Sequence, residues 1–206
     1  LDGRIAAAGG ESKWITGIES RKLVHRMRAS VDAVMVGSET ALKDDPELTV
    51  RLTNGRNPVR VVLDSSLRLP VTSKVFNGVK EGRASLFIFT SKDASEPRVK
   101  KAREAGAEVV RLAPVAAGLP LKKVLTALAE QGMTSVLVEG GGKLAASLLK
   151  EKLFDALVIF YGPIIIGGDG LSMVAGLGLK GLKSAPRFTG LRVKKAGDDI
   201  VIECRP

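Results

Sequence analysis

Ser135-Val136-Leu137-Val138-Glu139-Gly140-Gly141-Gly142-Lys143-Leu144-Ala145-Ala146-Ser147 runs from an apolar strand through three glycines into a good helix former. Glycines let a backbone turn sharply and approach a ligand closely. The N–H groups at the start of the following helix face an anion, and the helix dipole favours negative charge there. This is what a diphosphate needs. Glu139 sits at the carboxyl end of the strand, where open α/β sheets hold their ligands. Gly140 to Ala145 also matches G-x-G-x-x-A, a weak signal when it stands alone. A Walker loop is excluded by spacing. A tight strand–helix turn without a ligand is the plain alternative.

Outward from this unit, short β-rich runs alternate with helical patterns. Strands are predicted over Asp32–Gly37, Val59–Asp64, Ser85–Thr90, Ala107–Leu112, Ser135–Glu139 and Ala156–Tyr161. Continuous runs such as Val34-Met35-Val36 and Val61-Val62-Leu63 imply burial on both faces, as in a mainly parallel sheet. Helices are predicted over Ile18–Ser30, Ser95–Ala105, Leu121–Gln131 and Gly142–Lys150. The alternation gives an α/β class. Leu191–Lys194 and Ile200–Glu203 flank Ala196-Gly197-Asp198-Asp199 and read as an antiparallel hairpin at one edge. Lys74–Arg83 reads as a surface loop, and Gly167–Lys183 as a loop with a broken helix. Thr16 and Glu19 have capping-box spacing before the first helix. In that helix Leu23, Val24 and Met27 form the apolar stripe, and Arg28 falls beside it, within reach of a cleft.

The 206 residues suit one domain, 1–206. Apolar residues are 45% and charged residues 26%, ordinary for a globular chain. The formal charge of +10 admits nucleic acid or a phosphorylated ligand as partner. Aromatic residues are only 4%, so base-stacking platforms are scarce, and the basic residues form no tract. Nucleic acid is therefore not expected. A single cysteine, Cys204, and a single histidine, His25, cannot build a Cys/His zinc site or a disulfide framework. That usage fits the cytoplasm. No run approaches a membrane span, and no signal peptide is visible. The sequence begins at Leu1 and enters Asp2-Gly3-Arg4 at once, as if partway through an element.

Three further places carry chemistry. Gly37-Ser38-Glu39-Thr40-Ala41-Leu42-Lys43-Asp44-Asp45-Pro46 ends a buried strand and starts a short helix with Ser38 as its cap. Asp44 and Asp45 lack a third ligand nearby, so no metal is expected, and Asp45 reads as a helix terminus. Arg51, downstream, suits a phosphate. Gly10-Glu11-Ser12-Lys13-Trp14-Ile15-Thr16 holds the only tryptophan, whose ring suits either stacking on a nicotinamide or anchoring a core. His25 falls on the polar side of its helix and reads as surface. Cys204 reads as packed rather than reactive.

Taken together the chain resembles the reductase domain of the riboflavin-biosynthesis deaminase/reductase, the RibD family. The matching pieces are Leu1–Ala6, Gly10–Thr16, Arg28-Ala29, Asp32-Ala33, Val36-Gly37-x-x-Thr40, Asp44-Asp45-Pro46-x-Leu48-Thr49-Val50-Arg51, Pro58–Asp64 and Val138–Gly141, in the family's order. The resemblance implies a dihydrofolate-reductase-like three-layer fold, NADPH as hydride donor, and a ribosylaminopyrimidine 5′-phosphate as substrate. It implies that the ribose ring opens to an imine-like form and that hydride at its C1 leaves a ribityl chain. The product implied is 5-amino-6-(5-phosphoribitylamino)uracil. It also implies a homodimer.

Residue by residue, the resemblance implies that Ser12, Arg28, Leu48, Arg51 and Glu139 contact substrate. Trp14, Thr40 and Asp44 would contact the cofactor, Ser65 more weakly so, and Gly141, Gly142, Lys143, Leu144, Ala145, Ala146 and Ser147 would hold its diphosphate. Either Arg28 or Arg51 would take the substrate phosphate. Asp44 and Glu139 are the catalytic acid/base candidates, with an upstream lysine as rival. That lysine belongs to a family strand that precedes Leu1-Asp2-Gly3 and is absent from these residues. The family's amino-terminal zinc deaminase domain is absent too. The chain thus reads as an excised domain, a fragment or part of a monofunctional reductase. One rival reading is a same-fold reductase of 2,5-diamino-6-ribosylamino-4(3H)-pyrimidinone 5′-phosphate or a pteridine. The other is a non-enzymatic binder of phosphates or nucleic acid.

Overall fold

The computed structural model describes residues 1–116 and 118–206. In chain order the elements are β1 (Arg4–Ala6), α1 (Ile18–Ser30), β2 (Ala33–Gly37), α2 (Ser38–Asp44), β3 (Val59–Leu63), β4 (Leu86–Ser91), α3 (Glu96–Glu104), β5 (Glu108–Leu112) and α4 (Leu121–Glu130). Then follow β6 (Val136–Val138), α5 (Gly142–Glu151), β7 (Leu157–Tyr161), β8 (Leu171–Ser172), β9 (Thr189–Ala196) and β10 (Asp199–Arg205). Two compact units result, one of His25–Glu139, the other of Leu1–Val24 with Gly140–Pro206. No helix among the described residues is long and apolar enough to cross a membrane.

The unit His25–Glu139 is built on a parallel sheet of order β5-β4-β3-β2-β6. The continuous apolar runs form its middle, as their pattern requires. Val34, Met35, Val36, Val61, Val62, Ile88 and Phe89 are all at most 1% exposed. Beyond β5 the chain returns to place β6 on the far side of β2. Strand order therefore reverses beside β2, and the carboxyl ends of β2 and β6 are where sheets of this kind bind ligands.

Asp32, just before β2, fixes this reversal. One of its carboxylate oxygens, Oδ2, accepts from the main-chain N–H and the hydroxyl of both Thr134 and Ser135, at 2.9–3.1 Å. Arg56 bonds the other oxygen at 2.7 Å. Arg56 first, then these Thr134 and Ser135 donors, hold the Asp32 carboxyl well below the usual carboxylate range. Such a group stabilises the fold above the pKa of an unfolded aspartate, about 4, and loses that effect as pH falls. Asp32→Ala is expected to lower Tm at neutral pH, with the gap to wild type closing in acid. Thermal unfolding followed by circular dichroism across pH measures it, and a constant gap would contradict the staple.

The Lys74–Arg83 segment is not the expected surface loop. A short 3-10 turn over Lys74–Phe76 puts Val75, Phe76 and Val79 into the core at 1%, 7% and 6% exposure. Arg60, buried inside β3, donates to the carbonyls of Val75 and Asn77 at 2.7 and 2.8 Å. An arginine in a buried strand needs such acceptors.

In the other unit, the predicted C-terminal hairpin forms β9 and β10, and its partner is β7, in an antiparallel sheet of order β7-β10-β9. The Gly167–Lys183 stretch holds more order than a broken helix, because Leu171–Ser172 pairs with β1. The start of α1 is capped from far away. Asp199 accepts from the Gly17 N–H at 2.7 Å and from the Ser20 hydroxyl at 2.5 Å. It takes the place expected of a Thr16–Glu19 capping box, and Glu19 pairs with Lys22 instead.

Candidate functional site

In α1 the stripe Leu23, Val24, Met27 is only half-buried, and the buried positions are polar: Ser20, His25 and Arg28. Each finds a partner, which is how a polar group can be buried without a large penalty. His25 is thus not a surface residue: it is 7% exposed, and its Nδ1 accepts the Arg51 N–H at 2.9 Å.

Arg28 reaches the carboxyl end of β6. Its Nε and Nη2 donate to the two oxygens of Glu139, each at 2.7 Å, and its Nη1 donates to the Thr49 carbonyl at 2.9 Å. Their side chains are 11% and 19% exposed. This fork-to-carboxylate geometry fixes the carboxylate plane as well as its position. Glu139 is also tied to the sheet, its N–H donating to the Met35 carbonyl at 2.9 Å.

α2 begins at Ser38 itself, with Gly37 as its cap position and no side-chain cap, contrary to the expected serine cap. Thr40 and Asp44 stand one turn apart and share a face. Burial pushes the Asp44 carboxyl up, and the adjacent Lys43 charge opposes this. Asp45 ends the helix in the left-handed conformation and accepts the Lys74 N–H at 2.8 Å, so its role is structural. Leu48 also has positive φ, and its side chain is 1% exposed within the core. Any ligand contact of Leu48 is therefore a backbone one. Arg51 is exposed and holds Glu47 and the Thr49 hydroxyl through Nη1, each at 2.6 Å. Ser65 is exposed just beyond β3, its carbonyl accepting the Ser91 N–H at 3.0 Å.

These residues, Arg28, Thr40, Asp44, Leu48, Arg51, Ser65 and Glu139, all belong to the unit His25–Glu139. Ser12, Trp14 and Gly141 to Ser147 belong to the other. There, Trp14 is 76% exposed with positive φ, and the Arg21 guanidinium lies 4.6 Å from its ring centroid. Trp14 is thus no core anchor. A large aromatic held in a rare backbone conformation at the surface is the kind of strain found at ligand sites. No motif in the sequence marks Arg21 or Asn57, Thr49 enters only inside the matched run Asp44–Arg51, and His25 is expected there at the surface.

The glycine turn fits an anion. Gly140 and Gly141 have φ of 66° and 76°, and the cap residue Gly141 has no side chain to occupy the start of α5. Its first N–H groups and dipole thus meet the needs of a cofactor diphosphate. Gly142 has a different reason to be glycine. A Cβ there would overlap the Ser172 carbonyl oxygen, and the Gly142 carbonyl accepts the Ala175 N–H at 2.9 Å.

Residues 1–202 match the family model described as the RibD C-terminal domain. The riboflavin biosynthesis protein RibD of Aquifex aeolicus (strain VF5) is 38% identical over 203 residues, 98% of this chain and 54% of that protein. The 2,5-diamino-6-ribosylamino-4(3H)-pyrimidinone 5′-phosphate reductase of Methanothermobacter thermautotrophicus is 38% identical over 207 residues, covering 98% of this chain and 92% of that protein. Among solved structures, the diaminohydroxyphosphoribosylaminopyrimidine deaminase/5-amino-6-(5-phosphoribosylamino)uracil reductase of Thermotoga maritima matches with a TM-score of 0.80 at 36% identity. That match covers 100% of this chain and 54% of that one. The chain spans about half the length of the RibD relatives it matches. The fold these neighbours share is the dihydrofolate-reductase-like α/β fold that the resemblance implies. The chain belongs to the RibD C-terminal domain family.

Proposed function

We propose that residues 1–206 work as a reductase domain of riboflavin biosynthesis, reducing 5-amino-6-(5-phosphoribosylamino)uracil to its ribityl form. The observation that carries this reading is the Glu139–Arg28 pair at the strand-order reversal, the usual ligand position of an open α/β sheet. Glu139, oriented by Arg28, would accept hydrogen bonds from the substrate. Ser12 and the Leu48 backbone would add contacts. Arg28 is buried and engaged by Glu139 and the Thr49 carbonyl, so the exposed Arg51 is the better phosphate ligand.

NADPH is the cofactor we assign, and when bound it would supply the hydride. Gly141, Gly142, Lys143, Leu144, Ala145, Ala146 and Ser147 would hold its diphosphate. Trp14, Thr40, Asp44 and Ser65 would make further contacts. Asp44 would keep a proton for the amine that develops on the substrate.

Its raised pKa gives a sign. The protonated form persists to higher pH than in a free aspartate, so kcat should fall as pH rises through the Asp44 pKa. Asp44→Asn is expected to lower kcat by 10²-fold or so and abolish that limb, while Glu139→Gln retains the limb. An unchanged kcat and KM in both variants would remove Asp44 and Glu139 from the site.

The Methanothermobacter relative motivates a second substrate, 2,5-diamino-6-ribosylamino-4(3H)-pyrimidinone 5′-phosphate. Competing the two pyrimidines in one NADPH-oxidation assay separates the readings. The larger kcat/KM names the substrate, and no oxidation with either refutes both. A homodimer is also proposed, supported by Leu191, Val193 and Ile200, apolar and 62%, 65% and 36% exposed on β9 and β10. A monomer at sedimentation equilibrium would refute it. The two-activity name of the Thermotoga maritima protein suggests a fused deaminase in the full-length molecule, and this reaction class suits the cytoplasm.

A further inference from the structure

Between α2 and β3 the chain from Pro46 to Arg51 has no helix or strand ladder to hold it. An irregular backbone there would be free to fluctuate, at a cost to any ligand that needs it ordered. Three consecutive residues are instead tied by side chains from outside the segment. The Thr49 carbonyl accepts from Arg28 Nη1 at 2.9 Å. The Val50 N–H donates to Asn57 Oδ1 at 2.7 Å. The Arg51 N–H donates to His25 Nδ1 at 2.9 Å. His25 and Arg28 lie three residues apart on α1, so one helix face supplies two of the three ties.

We propose that His25 is a positioning residue: with Arg28 and Asn57 it clamps the Thr49–Arg51 backbone so that the exposed Arg51 guanidinium meets an anionic group of the substrate. This rests on Arg51 being the substrate's phosphate contact. The tie requires a neutral imidazole with its proton on Nε2, because Nδ1 must accept. Geometry singles out histidine over a bulk filler. An asparagine oxygen occupies nearly the place of Nδ1, whereas a glutamine oxygen reaches toward the place of Nε2. The clamp acts on substrate affinity and leaves the chemical step alone.

The test is steady-state kinetics of the whole chain with NADPH and 5-amino-6-(5-phosphoribosylamino)uracil. His25→Leu and His25→Gln are expected to raise KM for the pyrimidine phosphate roughly fivefold to tenfold, the loss of one buried hydrogen bond. Their kcat and their KM for NADPH should stay at the wild-type values. His25→Asn should restore the pyrimidine KM. If His25→Leu does not fold, the Asn–Gln pair decides. Asn57→Ala, at an exposed position, should raise the same KM alone. Arg51→Gln separates the two levels of the argument. An unchanged KM there refutes Arg51 as the phosphate contact. A raised KM there with wild-type KM in the His25 and Asn57 variants overturns the clamp. So does an equal rise in the Asn and Gln variants.

Discussion

Arg28→Met should destabilise the chain by about 3–5 kcal/mol and remove most of its activity. The side chain it replaces makes three hydrogen bonds at 2.7–2.9 Å, two to Glu139 and one to the Thr49 carbonyl. Methionine fills similar space without a donor. Glu139 is then left as an uncompensated, largely buried carboxylate, and the Thr49 carbonyl loses its partner. In a chain of this size the loss corresponds to a Tm drop of roughly 6–20 °C. Adding Glu139→Leu to Arg28→Met should return part of the stability, because the stranded charge is gone, and none of the activity. Arg28→Lys should also fail in activity, since an ammonium cannot reproduce the two-pronged contact. Denaturant unfolding and NADPH-oxidation assays measure both properties. Wild-type stability in Arg28→Met would mean that the pair does not hold Glu139.

Gly142→Ala carries the second large effect. The added methyl meets main-chain atoms: the Ser172 carbonyl oxygen, with the Ala175 nitrogen at 3.2 Å. Backbone cannot swing aside as a long side chain can, so α5 or the Ser172–Ala175 strip must shift. The Ala175–Gly142 hydrogen bond is strained with it. A cost of roughly 3 kcal/mol, at the top of the overpacking range, is expected. NADPH affinity should weaken as well, because the start of α5 moves. Gly176→Ala is the control, since among the described residues a Cβ there meets nothing within 4 Å and its φ is ordinary. Thermal unfolding of the two variants side by side checks this, and equal Tm values would contradict the close approach.

The sequence made the parallel sheet legible because its signal is local. Val34-Met35-Val36 and Val61-Val62-Leu63 are short, apolar throughout and rich in valine, the pattern of a strand covered on both faces. The turn at Gly140–Gly142 was legible for the same reason. What stayed hidden depends on partners far along the chain. Asp199 caps α1 from 182 residues beyond Gly17, and no capping-box rule reaches that distance. Periodicity counts apolar residues, so it chose Leu23, Val24 and Met27 as the inner face and left His25 to solvent. The buried face is in fact the polar one, tied to Arg51 and Glu139. Lys74–Arg83 looked like a loop because polar residues dominate it, although Val75, Phe76 and Val79 recur at helical spacing. Arg60 in the middle of an apolar strand was a readable hint that buried carbonyls wait for it. The two-residue strand β8 was too short for any pattern. Gly142 fits the pattern of a close approach to a ligand, and the protein's own backbone at Ser172 and Ala175 adds a second demand for a missing side chain that no local pattern displays.

A single titration bears most directly on the reading of this chain as a pyridine-nucleotide reductase. Trp14 is its only tryptophan and is 76% exposed, so emission reports one place. NADPH added to the chain, corrected for its own absorbance, should quench Trp14 saturably, both with and without ribose 5-phosphate. Emission that never saturates in either condition would contradict cofactor binding at this site.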